Sequence, residues 1–207
     1  MTTRNYRLPT RHAESPGPES ALMSIRQMTR IAHQRLDHDL SLLSKPLSQQ
    51  RFIDFLAGLL GFFQVWEPAV AASPQARRYL TGTSRLPDLT SDLTRLNVQQ
   101  HEIAAIPACS AASELVRSPG LALGSLYVIL GSRQGARVIG RAVSSAPWAP
   151  PEGLAYFSDD PRANAAWNGL VTALHQTPWP STDPEIARGA LKTFDVLHTW
   201  LTRSAIA

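Results

Sequence analysis

The spacing of apolar residues along this chain follows the period of the α-helix almost throughout. Ile25, Met28, Ala32, Leu36 and Leu40 recur at intervals of three and four, which stacks them on one face of a helix. Pro46 interrupts that pattern, and the Ser48 hydroxyl is placed to cap the next helix. Over 49–72 the residues Phe52, Phe55, Leu56, Leu59, Phe62, Phe63 and Trp66 cover so much of the circumference that this helix is expected at the centre of the fold. Leu86, Leu89, Leu93 and Leu96 mark a third, shorter helix, and a fourth segment lies near 111–117. Ser118, Pro119 and Gly120 lead into a long helix that ends near Ser145. After a proline-broken loop at 147–151, Asp160-Pro161 and Asp183-Pro184 each place an N-cap before a proline in the first turn. They open helices over about 161–176 and 184–203. Strand-like alternation is scarce, so the pattern predicts an all-α fold.

At 207 residues the chain is long enough to bury one continuous core. Residues 1–20 are polar and rich in turn formers, and read as a flexible tail; 21–207 reads as a single domain. The longest apolar run, at 55–65, is interrupted by Gly58, Gly61 and Gln64 and is too short to span a bilayer. The first residues lack the apolar core of a signal peptide, so a cytoplasmic location and no membrane partner are expected. A single cysteine, Cys109, rules out an intrachain disulfide and a thiolate metal cluster. The net charge of +4 comes mostly from arginine, since Lys45 and Lys192 are the only lysines. These charges are scattered, without the basic runs of a nucleic-acid surface, and no nucleic-acid partner is expected.

Two segments carry candidate chemistry. His33 lies on the flank of its helix's apolar stripe; it is either a partly buried histidine bonded to a neighbour or a neutral imidazole presented to a metal. The long helix carries Gly131 and Gly135, each about 1 kcal/mol less favourable than alanine in a helix interior. Such glycines serve either close helix packing or the approach of a backbone to a flat ligand. A metal cluster drawn from His33, Asp37, His38 and Asp39 fails on helical geometry, because only Asp37 shares a face with His33. Asp195 and His198 read as a solvated surface pair, and His101-Glu102 as a surface loop.

Four stretches in collinear order resemble the biliverdin-producing haem oxygenases, particularly the bacterial, bacteriophytochrome-associated type. Ala32-His33 with Asp37 four residues on is similar to the family's proximal helix. The aromatic helix ending in Trp66-Glu67 is similar to its second helix. The stretch from Gly124 through Tyr127, Gly131, Ser132, Gly135 and Ala136 resembles the distal helix. Tyr156-Phe157, Trp167, Phe194 and Trp200 follow the C-terminal pattern. The likeness spans about residues 22–203. It departs at Leu130, where bacterial relatives often carry an acid, and at Ala136, where one methyl is added; both bear on turnover.

The resemblance implies a haem-oxygenase-like helical bundle, with haem clamped between a proximal and a glycine-kinked distal helix. Haem would be both prosthetic group and substrate, with His33 as proximal iron ligand and Gly131 and Gly135 over the distal face. Arg26, Asp37, Tyr127, Ser132, Ala136 and Phe194 would complete the haem site. Arg26 would hold one propionate, with Arg133, Arg137 or Arg141 as candidates for the other. The implied reaction consumes O2 and electrons from an external donor protein (ferredoxin, flavodoxin or a reductase). It yields biliverdin, carbon monoxide and Fe2+, with a bacteriophytochrome as a candidate biliverdin acceptor. The alternative is a haem-binding or haem-sensing protein on the same fold that leaves its ligand intact.

Overall fold

The computed structural model describes residues 18–43, 46–80, 84–176 and 184–203. Among these residues the chain is all-helical, with eight α-helices and no strand. Helix α1 (Pro18–Leu40) ends at Ser41, which takes a left-handed φ of 46°. It begins inside the expected tail, of which residues 1–17 lie outside the described residues. Helix α2 (Gln49–Ala72) starts where expected, with the Ser48 hydroxyl accepting from the Arg51 N–H at 3.2 Å. A single 3-10 turn (Arg77–Tyr79) precedes α3 (Leu86–Arg95). The segment read as a loop around His101 is instead a short helix, α4 (Gln100–Ala104). The Glu102 carboxylate reaches back to accept from the Gln99 N–H at 2.8 Å, satisfying one of the donors orphaned at a helix start. His101 and Glu102 are both exposed, as expected. A longer 3-10 segment (Ser110–Val116) follows.

The glycine-bearing helix is interrupted. It forms α5 (Pro119–Gly131) and α6 (Arg133–Val143), separated by Ser132, whose hydroxyl donates back to Ile129 O at 2.8 Å. Local hydroxyl-to-carbonyl bonding of this kind competes with the helical ladder. Helices α7 (Pro161–Gln176) and α8 (Pro184–Arg203) begin at the two prolines. The Asp160 carboxylate accepts from the Arg162 N–H at 2.9 Å, as a cap should; Asp183 lies outside the described residues.

Helices α2, α5 and α8 form the core. α5 packs along α8 at unusually close range, because a Cβ at Gly124 would fall on Ile186 O and one at Gly189 would lie 2.6 Å from Leu121 O. At 24 residues α2 is long and apolar enough to cross a bilayer, unlike the shorter run seen in sequence. Its apolarity has a packing explanation: Phe52, Leu56, Phe62, Trp66 and Val70 are at most 1% exposed inside the bundle. Trp66 also donates to Ser125 Oγ on α5 at 3.1 Å. Helix α1 lies outermost, on α8 and α7. It buries Leu22, Ile25 and Leu36 but leaves Met28, expected in the core, half exposed.

Two buried carboxylates tie loops to this frame. Asp92, fully buried, accepts from the backbone N–H of Ala155 at 2.7 Å and of Tyr156 at 2.8 Å. Glu67 accepts from the Arg85 N–H at 2.6 Å and the Ser84 hydroxyl at 2.7 Å. The Arg85 guanidinium in turn pairs with Asp88 and with Asp160 at the start of α7, each at 3.0 Å. Together these bonds fix the strip that carries Tyr156 and Phe157, and the first turn of α7.

Candidate functional site

Walls from α1, α2, α5, α6, α7 and α8 enclose a cavity of about 1030 Å³. That is the upper end of the roughly 300–1,000 Å³ range of small-molecule clefts. All nine residues singled out from sequence line it: Arg26, His33 and Asp37 from α1, Tyr127 and Gly131 from α5, Ser132, then Gly135 and Ala136 from α6, and Phe194 from α8. Most of the remaining wall is apolar, with Phe55, Leu59 and Phe63 of α2 at its base and Trp167 of α7 beside Gly131.

On α1, one turn separates His33 from Asp37, and Nδ1 of the imidazole lies 3.3 Å from the Asp37 carboxylate. That contact favours the tautomer protonated at Nδ1 and leaves Nε2 free to act as a ligand. The ring meets Phe194 edge-on, with centroids 5.5 Å apart and planes at 88°. His33 is 56% exposed, so its environment is the open cavity and not a packed core.

The two glycines differ. Gly135 faces open space, with nothing within 4 Å of where a Cβ would stand. Gly131 faces the Trp167 indole, two of whose carbons would lie 3.3 Å from a Cβ. Its role in this structure is close packing as well as cavity wall. Ser132 reaches the cavity, but its hydroxyl proton is taken by Ile129 O. Leu130 is buried and points away from the cavity, toward a small void lined by Glu67, Arg85, Arg133 and Tyr156. An acid at that position would therefore meet two guanidiniums and not the cavity.

The arginine candidates for a second anion anchor turn elsewhere. Arg133 donates to Ser158 O at 3.2 Å; burial, with Arg85 nearby, pulls its pKa below the usual arginine range. Arg137 binds Asp159 and Asn164, and Arg141 lines a separate groove. The residue missed from sequence is Arg30, which lines the main cavity one turn after Arg26. Its i, i+4 spacing from Arg26 was the available signal. Among the described residues neither Arg26 nor Arg30 has a carboxylate within 4 Å, and both guanidiniums are open to an anionic ligand.

Asp37 is the sole carboxylate on the described cavity wall, so the α5–α6 side has no side-chain acid. The Tyr156 phenol, also on the wall, is pushed up to about 12 by burial and stays protonated. Burial likewise raises the Cys109 thiol. Among the described residues no cluster of three or more histidine, cysteine or carboxylate side chains is arranged to hold a bare metal ion.

His198, read as half of a surface pair with Asp195, instead contacts Asp39 on α1 at 2.6 Å and is only 18% exposed. No protein-family model matches this chain, and no curated protein is significantly similar to it.

Proposed function

We propose that the cavity binds haem and that the chain is a haem oxygenase. The reaction is the O2- and reductant-dependent cleavage of haem at a meso carbon to biliverdin, CO and Fe2+. The observation that carries this reading is one apolar cavity with three matched features. It has a histidine on one helix, a pair of arginines on the same helix with no carboxylate partner among the described residues, and an open glycine flank on another.

The donor set fits the ligand. His33, oriented by Asp37 through Nδ1, would supply the imidazole that holds the haem iron. Arg26 and Arg30 supply two cations one turn apart for two carboxylates, in geometry that planar guanidinium groups read well. Gly135 leaves the space in which a flat ring can lie against a helix backbone. Apolar walls from Phe55, Leu59, Phe63 and Ile139 exclude water from the ring faces.

Haem, when bound, supplies the iron that activates dioxygen and the ring that is opened. The protein's part is to hold and orient it. His33 and the two arginines fix position, while the α5–α6 wall presents no carboxylic acid to act as a strong general acid. Ser132 is committed to its own helix through Ile129 O.

A haemin titration followed by reductant under air tests the proposal. A Soret band that saturates at one equivalent, and gives way to broad red absorption, is the expected result. A Soret band that survives reduction and oxygen makes the chain a haem-binding or haem-sensing protein. The absence of any Soret shift overturns the haem reading.

A further inference from the structure

Helix α1 carries His33, Arg26 and Arg30, yet its polar fastening to other helices lies at its C-terminal end. There the carboxylate of Asp39 and the imidazole Nε2 of His198, on α8, stand 2.6 Å apart. Arg51 of α2 donates to Leu40 O at 2.8 Å. Among the described residues these are the two side-chain hydrogen bonds from α1 to another helix. Elsewhere α1 is held by apolar burial of Leu22, Ile25 and Leu36.

The Asp39–His198 contact lies between the same two helices as the ligand-facing one, farther toward their C-terminal ends. Asp39 stands six residues beyond His33, about 9 Å along the helix at 1.5 Å per residue. His198 stands four residues, one turn, beyond Phe194, the ring that His33 meets. The α1–α8 seam therefore has two rungs, His33–Phe194 and Asp39–His198. The second rung also borders a smaller cavity of about 350 Å³, which shares Leu40, Leu42, Phe55 and Leu201 with the main one.

The carboxylate of Asp39 is fully engaged. Its other oxygen lies 3.0 Å from Nδ1 of His38, and Arg35 Nε stands 3.9 Å away. Arg51, from α2, is the remaining charged group on the wall of the smaller cavity.

We propose that His198 is a positioning residue which, through Asp39, sets the spacing of α1 from α8 and so the place of His33 in the cavity. The inference rests on the reading of His33 as the ligand-facing group, but its first readout needs no ligand. Amide hydrogen exchange is measured on the full chain for wild type, His198→Leu and His198→Gln. In the leucine variant, exchange is expected to rise about fivefold over the last turns of α1 while α2 and α5 hold, as loss of one partly exposed hydrogen bond implies. Glutamine, whose amide donates to the same carboxylate, restores protection. With haemin bound, the leucine variant shows a displaced Soret band and about tenfold faster haemin loss to excess apomyoglobin.

A lowered Tm with α1 exchange and the Soret band unchanged, or a uniform rise in every helix, overturns the proposal. If wild type takes up no haemin while α1 alone loosens in the leucine variant, the positioning role stands and the haem reading falls. Should His198→Leu fail to fold, Asp39→Ala removes the same rung from the exposed side and is read identically.

Discussion

The Trp167 indole rests on Gly131 so closely that two of its ring carbons would lie 3.3 Å from a Cβ there, whereas one turn later Gly135 faces nothing within 4 Å. One glycine is filled by the protein itself and the other is left for something else. Helix α7 is thereby coupled to the cavity wall, since Trp167 also packs on Tyr127, with ring centroids 5.4 Å apart.

This contrast predicts opposite outcomes for the same substitution. Gly135→Ala relieves a helical glycine without a clash and raises the stability of the ligand-free protein by up to about 1 kcal/mol. Gly131→Ala presses on the Trp167 ring and lowers stability by about 1 kcal/mol. Gly135→Leu keeps the fold but blocks the cavity, abolishing the haemin Soret shift. Urea denaturation and haemin titration of the three variants check this.

The α5–α8 crossing predicts the most damaging glycine substitution. A Cβ at Gly124 would fall on the Ile186 carbonyl, which is backbone and cannot swing aside. Gly124→Ala is expected to destabilise by about 3 kcal/mol or more, as overpacking of a close helix contact does. The check is the shift in urea midpoint at unchanged m-value.

What the sequence made legible, and what it hid, divides along local against long-range causes. Ser48 and Pro161 marked two helix starts, because a cap or a missing N–H acts within one turn. The nine residues that the resemblance singles out line one cavity. Arg30 and the Asp39–His198 rung were missed, because which arginine faces the cavity depends on how α1 rolls against α8. The same roll exposes Met28. Arg133, Arg137 and Arg141 were drawn to the cavity by proximity in sequence. In the structure, Ser158 and Asp159 claim the first two, and Arg141 lines a groove on another side of α6. Gly124 and Gly189 owe their close approach to partners more than sixty residues away.

Glu67 and Asp92 are both buried carboxylates with two donors, but the donors differ. Glu67 accepts one backbone N–H and one hydroxyl, so Glu67→Gln keeps both bonds once Ser84 turns to accept from the amide. Asp92 accepts two backbone N–H groups, so Asp92→Asn aims an NH2 at a donor and loses about 2 kcal/mol. The two variants are compared by urea denaturation at neutral pH.

Burial raises the Glu67 carboxyl above its usual 4.5, outweighing the bonds from Arg85 and Ser84. A raised carboxyl takes its proton more readily in the folded state. Its favourable contribution is complete below the unfolded pKa and is lost as pH rises through the folded one. The stability of Glu67→Gln relative to wild type should therefore increase with pH across the weakly acid range. A difference that falls or stays flat over that range refutes the assignment.

His33 is more than half exposed and among the described residues its ring contact is Phe194, so His33→Ala should change the unfolding free energy by less than about 1 kcal/mol. In the same variant the imidazole proposed to hold the haem iron is gone, and the spectrum of bound haemin should change. The arginine pair supplies the complementary test. Arg30→Glu places a carboxylate where a ligand carboxylate is expected, next to Arg26, and should weaken haemin binding on the order of tenfold. Arg137→Glu, an equal charge change on a residue already committed to Asp159 and facing another groove, should leave haemin affinity unaltered. Comparing the two at low and high salt separates a local contact from the general field. A screened surface effect fades equally for both, whereas a contact on the cavity wall keeps its difference. Equal losses in the two variants would mean that net charge, and not the α1 arginine pair, governs uptake of the anionic ligand.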